Sequence, residues 1–120
     1  MRIMMIYKPG LEDPAPPTPE HIEKMDRFIG ELTESGSLLE TGGLQHSSTG
    51  KRVSLTDGKF TLTDGPFTEA KEIIGGYAIV ETRTMDEAVE LAKRFLKVAG
   101  GGTSEIRPMS GGPPDMPAQM

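Results

Sequence analysis

Most of the side chains that combine a reactive group with a rigid backbone context fall in one segment. It runs Thr63-Asp64-Gly65-Pro66-Phe67-Thr68-Glu69-Ala70-Lys71-Glu72, with Gly75-Gly76-Tyr77 close behind. Read for chemistry, the Gly-Pro turn holds Asp64 still while Lys71 and Glu72 emerge from a nearby helical turn. An acid, an ammonium and the Tyr77 hydroxyl then converge on one cavity. In this reading Asp64 and Lys71 do the chemistry, Lys71 binding a carboxylate or enolate oxygen, and Phe67, Glu72 and Tyr77 contact the ligand. The same residues also read as plain structure. Asp64 closes an Asx-turn, Gly65 supplies a positive φ, Pro66 fixes the next φ and Phe67 plugs the core beneath the loop, leaving Lys71 solvated beside Glu69 and Glu72. The residues by themselves leave both readings open.

The chain has two histidines. His21 precedes Met25 by four positions and so borders the apolar stripe of an expected helix. By intrinsic pKa it is the first candidate for a general base, although a helix-edge histidine with no catalytic duty is the plainer reading. His46 lies in a Gly- and Ser-rich loop and reads as a surface residue. Two isolated histidines lack metal-ligand spacing, so no metal site is expected. Ser47, Ser48 and Thr49 lack a nucleophile elbow. Neither Gly42-Gly43-Leu44 nor Gly100-Gly101-Gly102 follows the pattern of a phosphate loop, and no cofactor is called for.

The elements that must position these groups are set by a chain of 120 residues, the size of one domain. Thirteen Lys and Arg against eighteen Asp and Glu give a net charge of −5, which repels phosphate backbones and argues against direct nucleic-acid binding. With no Cys there is neither a disulfide framework nor a thiolate nucleophile. No apolar run approaches the ~20 residues of a membrane span, and the first residues are too short an apolar stretch for a secretory signal. A cytoplasmic protein without membrane contact is expected.

Arg2 to Tyr7 reads as a strand apolar on both faces. Thr18-Pro19 starts a helix with its stripe at Ile22, Met25, Ile29 and Leu32, and Gly36 stops it. A strand at Ser37 to Glu40 precedes a flexible stretch, Thr41 to Gly50. Val53 and Leu55, then Phe60 and Leu62, alternate about Asp57-Gly58, which marks a type I′ hairpin pairing Leu55 with Phe60 and Val53 with Leu62. Tyr77 to Glu81 reads as a strand. Thr84 and Glu87 have capping-box spacing before a helix carrying Ala88, Leu91, Ala92, Phe95 and Ala99, and Ser104 to Arg107 reads as a last strand. The order predicts an α+β, ferredoxin-like antiparallel sheet with two helices on one face and an inserted β-hairpin. The doubly apolar first strand calls for a second copy to cover the other face, hence a homodimer. The domain is expected over residues 1–108, with residues 109–120 a disordered or partner-contacting tail.

TDGPFTEAKE followed by GGY resembles the signature of the DGPF subgroup of the YCII-related family. The likeness extends from Met1 to about Pro108 and takes in Gly42-Gly43-Leu44, the hairpin, Thr84-x-Asp86-Glu87-Ala88 and Glu105-x-Arg107-Pro108. The resemblance implies a dimeric α/β barrel built from two ferredoxin-like sheets, and a His–Asp pair for which His21 and Asp64 would be the counterparts. Two functions then compete, the first resting on the barrel-like fold with Asp64, Lys71 and His21 as acid, base and oxyanion partners, the second on the family likeness. One is a small cofactor-independent enzyme of proton-transfer, lyase or isomerase type acting on a small organic molecule. The other is a noncatalytic dimeric module that binds a ligand or protein and is linked to sigma-factor-dependent transcription.

Overall fold

The computed structural model describes residues 1–11, 16–67 and 73–110. Chain order is β1 (Arg2–Lys8), α1 (Pro19–Glu34), β2 (Leu38–Gly43), a 3₁₀ turn (Ser47–Thr49), β3 (Lys51–Thr56), β4 (Lys59–Asp64), β5 (Gly76–Glu81), α2 (Met85–Ala99) and β6 (Thr103–Pro108). Four strands form one sheet in the order β2-β5-β1-β6, each neighbour antiparallel, while β3 and β4 form a separate two-stranded sheet. This is the ferredoxin-like α+β arrangement with the hairpin inserted between its second and third sheet strands.

Both helices are set by their ends. The Thr18 hydroxyl accepts the His21 backbone N–H at 3.1 Å, Pro19 occupies the first turn, and Gly36 at φ +82° follows the last. In α2 the Thr84 hydroxyl accepts the Glu87 N–H at 3.2 Å, and Gly100 closes the helix in the left-handed region with its N–H on the Leu96 carbonyl. The core lies between these helices and one sheet face, where Ile3, Met5, Phe28, Leu32, Leu38, Val80, Ala88 and Ala92 are buried. The stripe of α1 differs from the expected one. Phe28 is in the core, whereas Ile22 is 47% exposed. Met25, Phe28, Ile29 and Leu32 define the buried line, and at 100° per residue Ile22 stands roughly 70° off its centre.

The second strand also runs further than expected, through Gly43 into the stretch read as flexible. The Tyr77 ring explains this. It lies across Gly42, within 3.0 Å of where a β-carbon there would stand, and the Thr41 hydroxyl donates to the Tyr77 carbonyl at 2.9 Å. A cross-strand ring thus supplies the packing that a glycine edge lacks.

On the opposite sheet face Met4, Ile6, Tyr77 and Ile79 are half-buried. The hairpin pairs Leu55 with Phe60 and Val53 with Leu62, as its alternation requires, and all four side chains are exposed. Asp57 at φ 52° and Gly58 at φ 76° make the type I′ turn. Gly58→Val is expected to destabilise the protein by about 1 kcal/mol or more, because a β-branched residue is strained at positive φ. A denaturant titration that shows no loss would mean the turn opens freely. Past β6 the Met109 N–H still bonds the Arg2 carbonyl at 2.9 Å, so sheet pairing continues one residue beyond the expected domain boundary. Residues 111–120 of the expected tail lie outside the described residues.

Candidate functional site

The antiparallel order brings the end of β1, the start of α1, the end of β2, the start of β5 and the end of α2 to one end of the domain. There Tyr7, Thr18, His21, Gln45, His46 and Ile74 help to line a cavity of ≈ 520 Å³. A second cavity, ≈ 450 Å³, shares Gln45, His46 and Ile74 with it and is continued by Arg52 and Phe67. A third, ≈ 290 Å³, lies between helices and sheet and is walled by apolar side chains such as Met25, Phe28, Ile29, Leu32 and Phe95. It meets the first at Tyr7 and Gly75.

His21 is half-buried in the first turn of α1. Its backbone N–H is spent on the Thr18 cap, and no described residue hydrogen-bonds its ring. His46 is half-buried as well, not the surface residue its loop suggested. It caps the 3₁₀ turn, and its Nδ1 accepts the Ser48 N–H at 3.1 Å. The neutral ring therefore carries its proton on Nε2. Sequence reasoning passed over His46 because a cap formed by its own side chain two residues on has no periodic signature. The fork of His-Ser-Ser-Thr before a strand was the available signal.

Asp64 ends β4, largely exposed, with its carboxylate on Lys51 Nζ. It is not in the wall of any of the three cavities, so His21 and Asp64 do not meet around one space. Gly65 is not among the positive-φ residues. A β-carbon there would stand 1.7 Å from the Ser47 carbonyl oxygen, so glycine is required by close approach. The Gly65–Pro66 peptide is cis. Phe67 is half-buried, with the Arg52 guanidinium 4.2 Å from its ring centroid and its N–H on the Ser47 hydroxyl at 3.4 Å. The Asp-Gly-Pro-Phe turn is thus fastened to the 3₁₀ turn and forms one wall of the second cavity. Lys71 and Glu72 lie outside the described residues.

Tyr77 borders the apolar chamber, not the cavity at His21, and its hydroxyl donates to Glu40 Oε2 at 3.0 Å. The hydrogen bond to the Glu40 carboxylate, and then its charge, hold the phenol above its ordinary value of 10.0. Because the folded value is the higher one, the pair supports the fold below pH 10, and that support fades as the pH rises through the folded value. Ultraviolet titration in a Tyr7→Phe background is expected to place Tyr77 above 10, and Glu40→Gln to return it towards 10. An unchanged titration in that variant would disconnect the two groups.

Among the described residues no group of three or more His, Asp or Glu could hold a metal ion, and no helix is long and apolar enough to cross a membrane.

Strand order, helix placement and inserted hairpin define a ferredoxin-like α+β protein. The family model of the YCII-related domain matches residues 1–110, and the chain belongs to that family. Among solved structures the chain is similar to the 5-chloro-2-hydroxyhydroquinone dehydrochlorinase TftG from Burkholderia phenoliruptrix AC1100, in complex with 2,5-dihydroxybenzoquinone. The identity is 14% and the TM-score 0.48, with 93% of this chain and 96% of that chain covered. A search of curated proteins found no match.

Proposed function

We propose that this YCII-related protein is a cofactor-independent enzyme of proton-transfer type, a lyase or isomerase, acting on a small organic molecule in the cavity shared by His21 and His46. The observation that carries the reading is that both imidazoles of the chain wall one cavity. They are held differently there. The His21 ring is without a hydrogen bond from any described residue, which suits a base that takes a proton from substrate. The His46 ring is fixed through Nδ1, which accepts the Ser48 N–H, so it is held in place at the cavity wall. Asp64 is assigned to the clasp with Lys51 in this reading.

The test is exchange of α-protons for solvent deuterium in a panel of small ketones and lactones, followed by proton NMR. The protein is expected to accelerate exchange in at least one of them, and His21→Gln to lose on the order of 100-fold or more of that rate. Exchange no faster than in buffer, or undiminished in the variant, would overturn the reading. We further propose that the chain works as a homodimer in which a second copy covers Met4, Ile6 and Ile79. Light scattering is then expected to report a mass near twice 13.0 kDa, and monomer alone at micromolar concentration would refute the dimer.

A further inference from the structure

The cavity at His21 adjoins the apolar chamber, and the two share Tyr7 and Gly75 in their walls. Tyr7 stands at the C-terminal end of β1 with its ring edge-on to Phe95 at 5.0 Å between centroids. Its hydroxyl donates to the Gly101 carbonyl at 3.0 Å. The ring stands on the boundary between the two spaces. Beside it Gly75 also borders both spaces, with the Pro9 and Tyr7 rings 3.0 and 3.4 Å from where its β-carbon would stand. On one side lie two imidazoles, a threonine hydroxyl and the Gln45 amide. On the other lie Met5, Met25, Phe28, Ile29 and Leu32. The chamber is open on one side rather than sealed, and a space of ≈ 290 Å³ with apolar walls beside a polar cavity is suited to a guest.

We infer that the ligand is a neutral amphipathic molecule that spans both compartments, its hydrogen-bonding carbonyl or hydroxyl head at His21 and an apolar body carried past Tyr7 into the chamber between helices and sheet. This rests on the site proposed above and adds the class of molecule it takes. An imidazole both donates and accepts, so it pairs with a carbonyl or a hydroxyl. The chamber walls offer dispersion and burial, so affinity grows with the apolar body.

The test is binding, which needs no turnover. Cyclohexanone and 4-propylcyclohexanone are titrated calorimetrically into the whole protein. The propyl compound is expected to bind about tenfold tighter or more. Ala78→Leu, which adds bulk to the chamber wall, is expected to remove that advantage, and His21→Gln to weaken both ketones alike. A second readout does not depend on the fate of the Ala78 variant. With methyl-labelled methionine, the Met5 and Met25 resonances are expected to shift with the propyl compound and not with cyclohexanone. Equal affinities, an advantage that survives Ala78→Leu in a folded variant, or Met5 and Met25 signals indifferent to the propyl group would overturn the inference. Propyl-dependent binding without deuterium exchange would leave the inference standing and remove the catalytic reading instead.

Discussion

Gly65→Ala is expected to destabilise the protein by roughly 3 kcal/mol, at the upper end of what overpacking does. The added β-carbon would fall 1.7 Å from the Ser47 carbonyl oxygen and 2.7 Å from its carbon, and both of these are backbone atoms with no rotamer to yield. Relief requires the two turns to part. That breaks the Gly65 N–H bond to the Gly50 carbonyl at 3.0 Å and loosens Phe67 from the Ser47 hydroxyl and the Arg52 guanidinium. A urea titration followed by far-ultraviolet circular dichroism measures the loss, and an unchanged midpoint would show that the turns are not fastened together. Asp64→Asn makes the contrast. Its ion pair with Lys51 joins two largely exposed side chains, so its removal is expected to change stability by about 1 kcal/mol or less. A larger loss for Asp64→Asn than for Gly65→Ala would reverse the assignment of the motif's structural weight.

Phe28→Ala is expected to lower stability by about 3–5 kcal/mol, whereas Ile22→Ala changes it by about 1 kcal/mol or less. Phe28 is 8% exposed, packs in the core and carries the Arg94 guanidinium 5.1 Å from its ring centroid, so its loss removes transfer free energy and opens a void. Ile22 is 47% exposed one turn into the same helix. Parallel denaturant titrations decide between them. Equal losses would mean that α1 sits rotated about its axis from the position described here. Phe28 also walls the apolar chamber, so the alanine variant is expected to enlarge the space beside Tyr7.

These two residues show what a sequence carries and what it does not. Helix period identifies a stripe in α1 but leaves its centre free by roughly 30°. Met25, Ile29 and Leu32 fit either Ile22 or Phe28 as a further member, and only the sheet beneath decides. Caps and turns are local, and they were legible. Thr18-Pro19, Thr84 with Glu87 and Asp57-Gly58 each act through their own backbone. Gly65 was legible as indispensable but not for the right reason, because the atom that forbids a side chain there belongs to Ser47, remote in the chain. The end of β2 was hidden for the same cause, since the ring that packs its glycines comes from β5. The candidate site was half legible. His21 could be placed at the edge of its stripe by spacing. His46 reaches the same cavity through a loop whose course depends on contacts with the Asp-Gly-Pro-Phe turn, and no pattern within the loop encodes that.

The sheet's pairing also sets the order in which a growing chain can fold. β1 is an inner strand next to both β5 and β6, so residues 2–8 find their partners at residues 76–81 and 103–108. While the ribosome is still building the middle of the protein, the first strand, apolar on both faces, has neither neighbour. The hairpin and α1 can form early from contacts within themselves, but the sheet closes only when residues 103–108 clear the exit tunnel. Such distant pairing makes for slow folding, and it leaves the start of the chain as the stretch a holding chaperone would meet during synthesis.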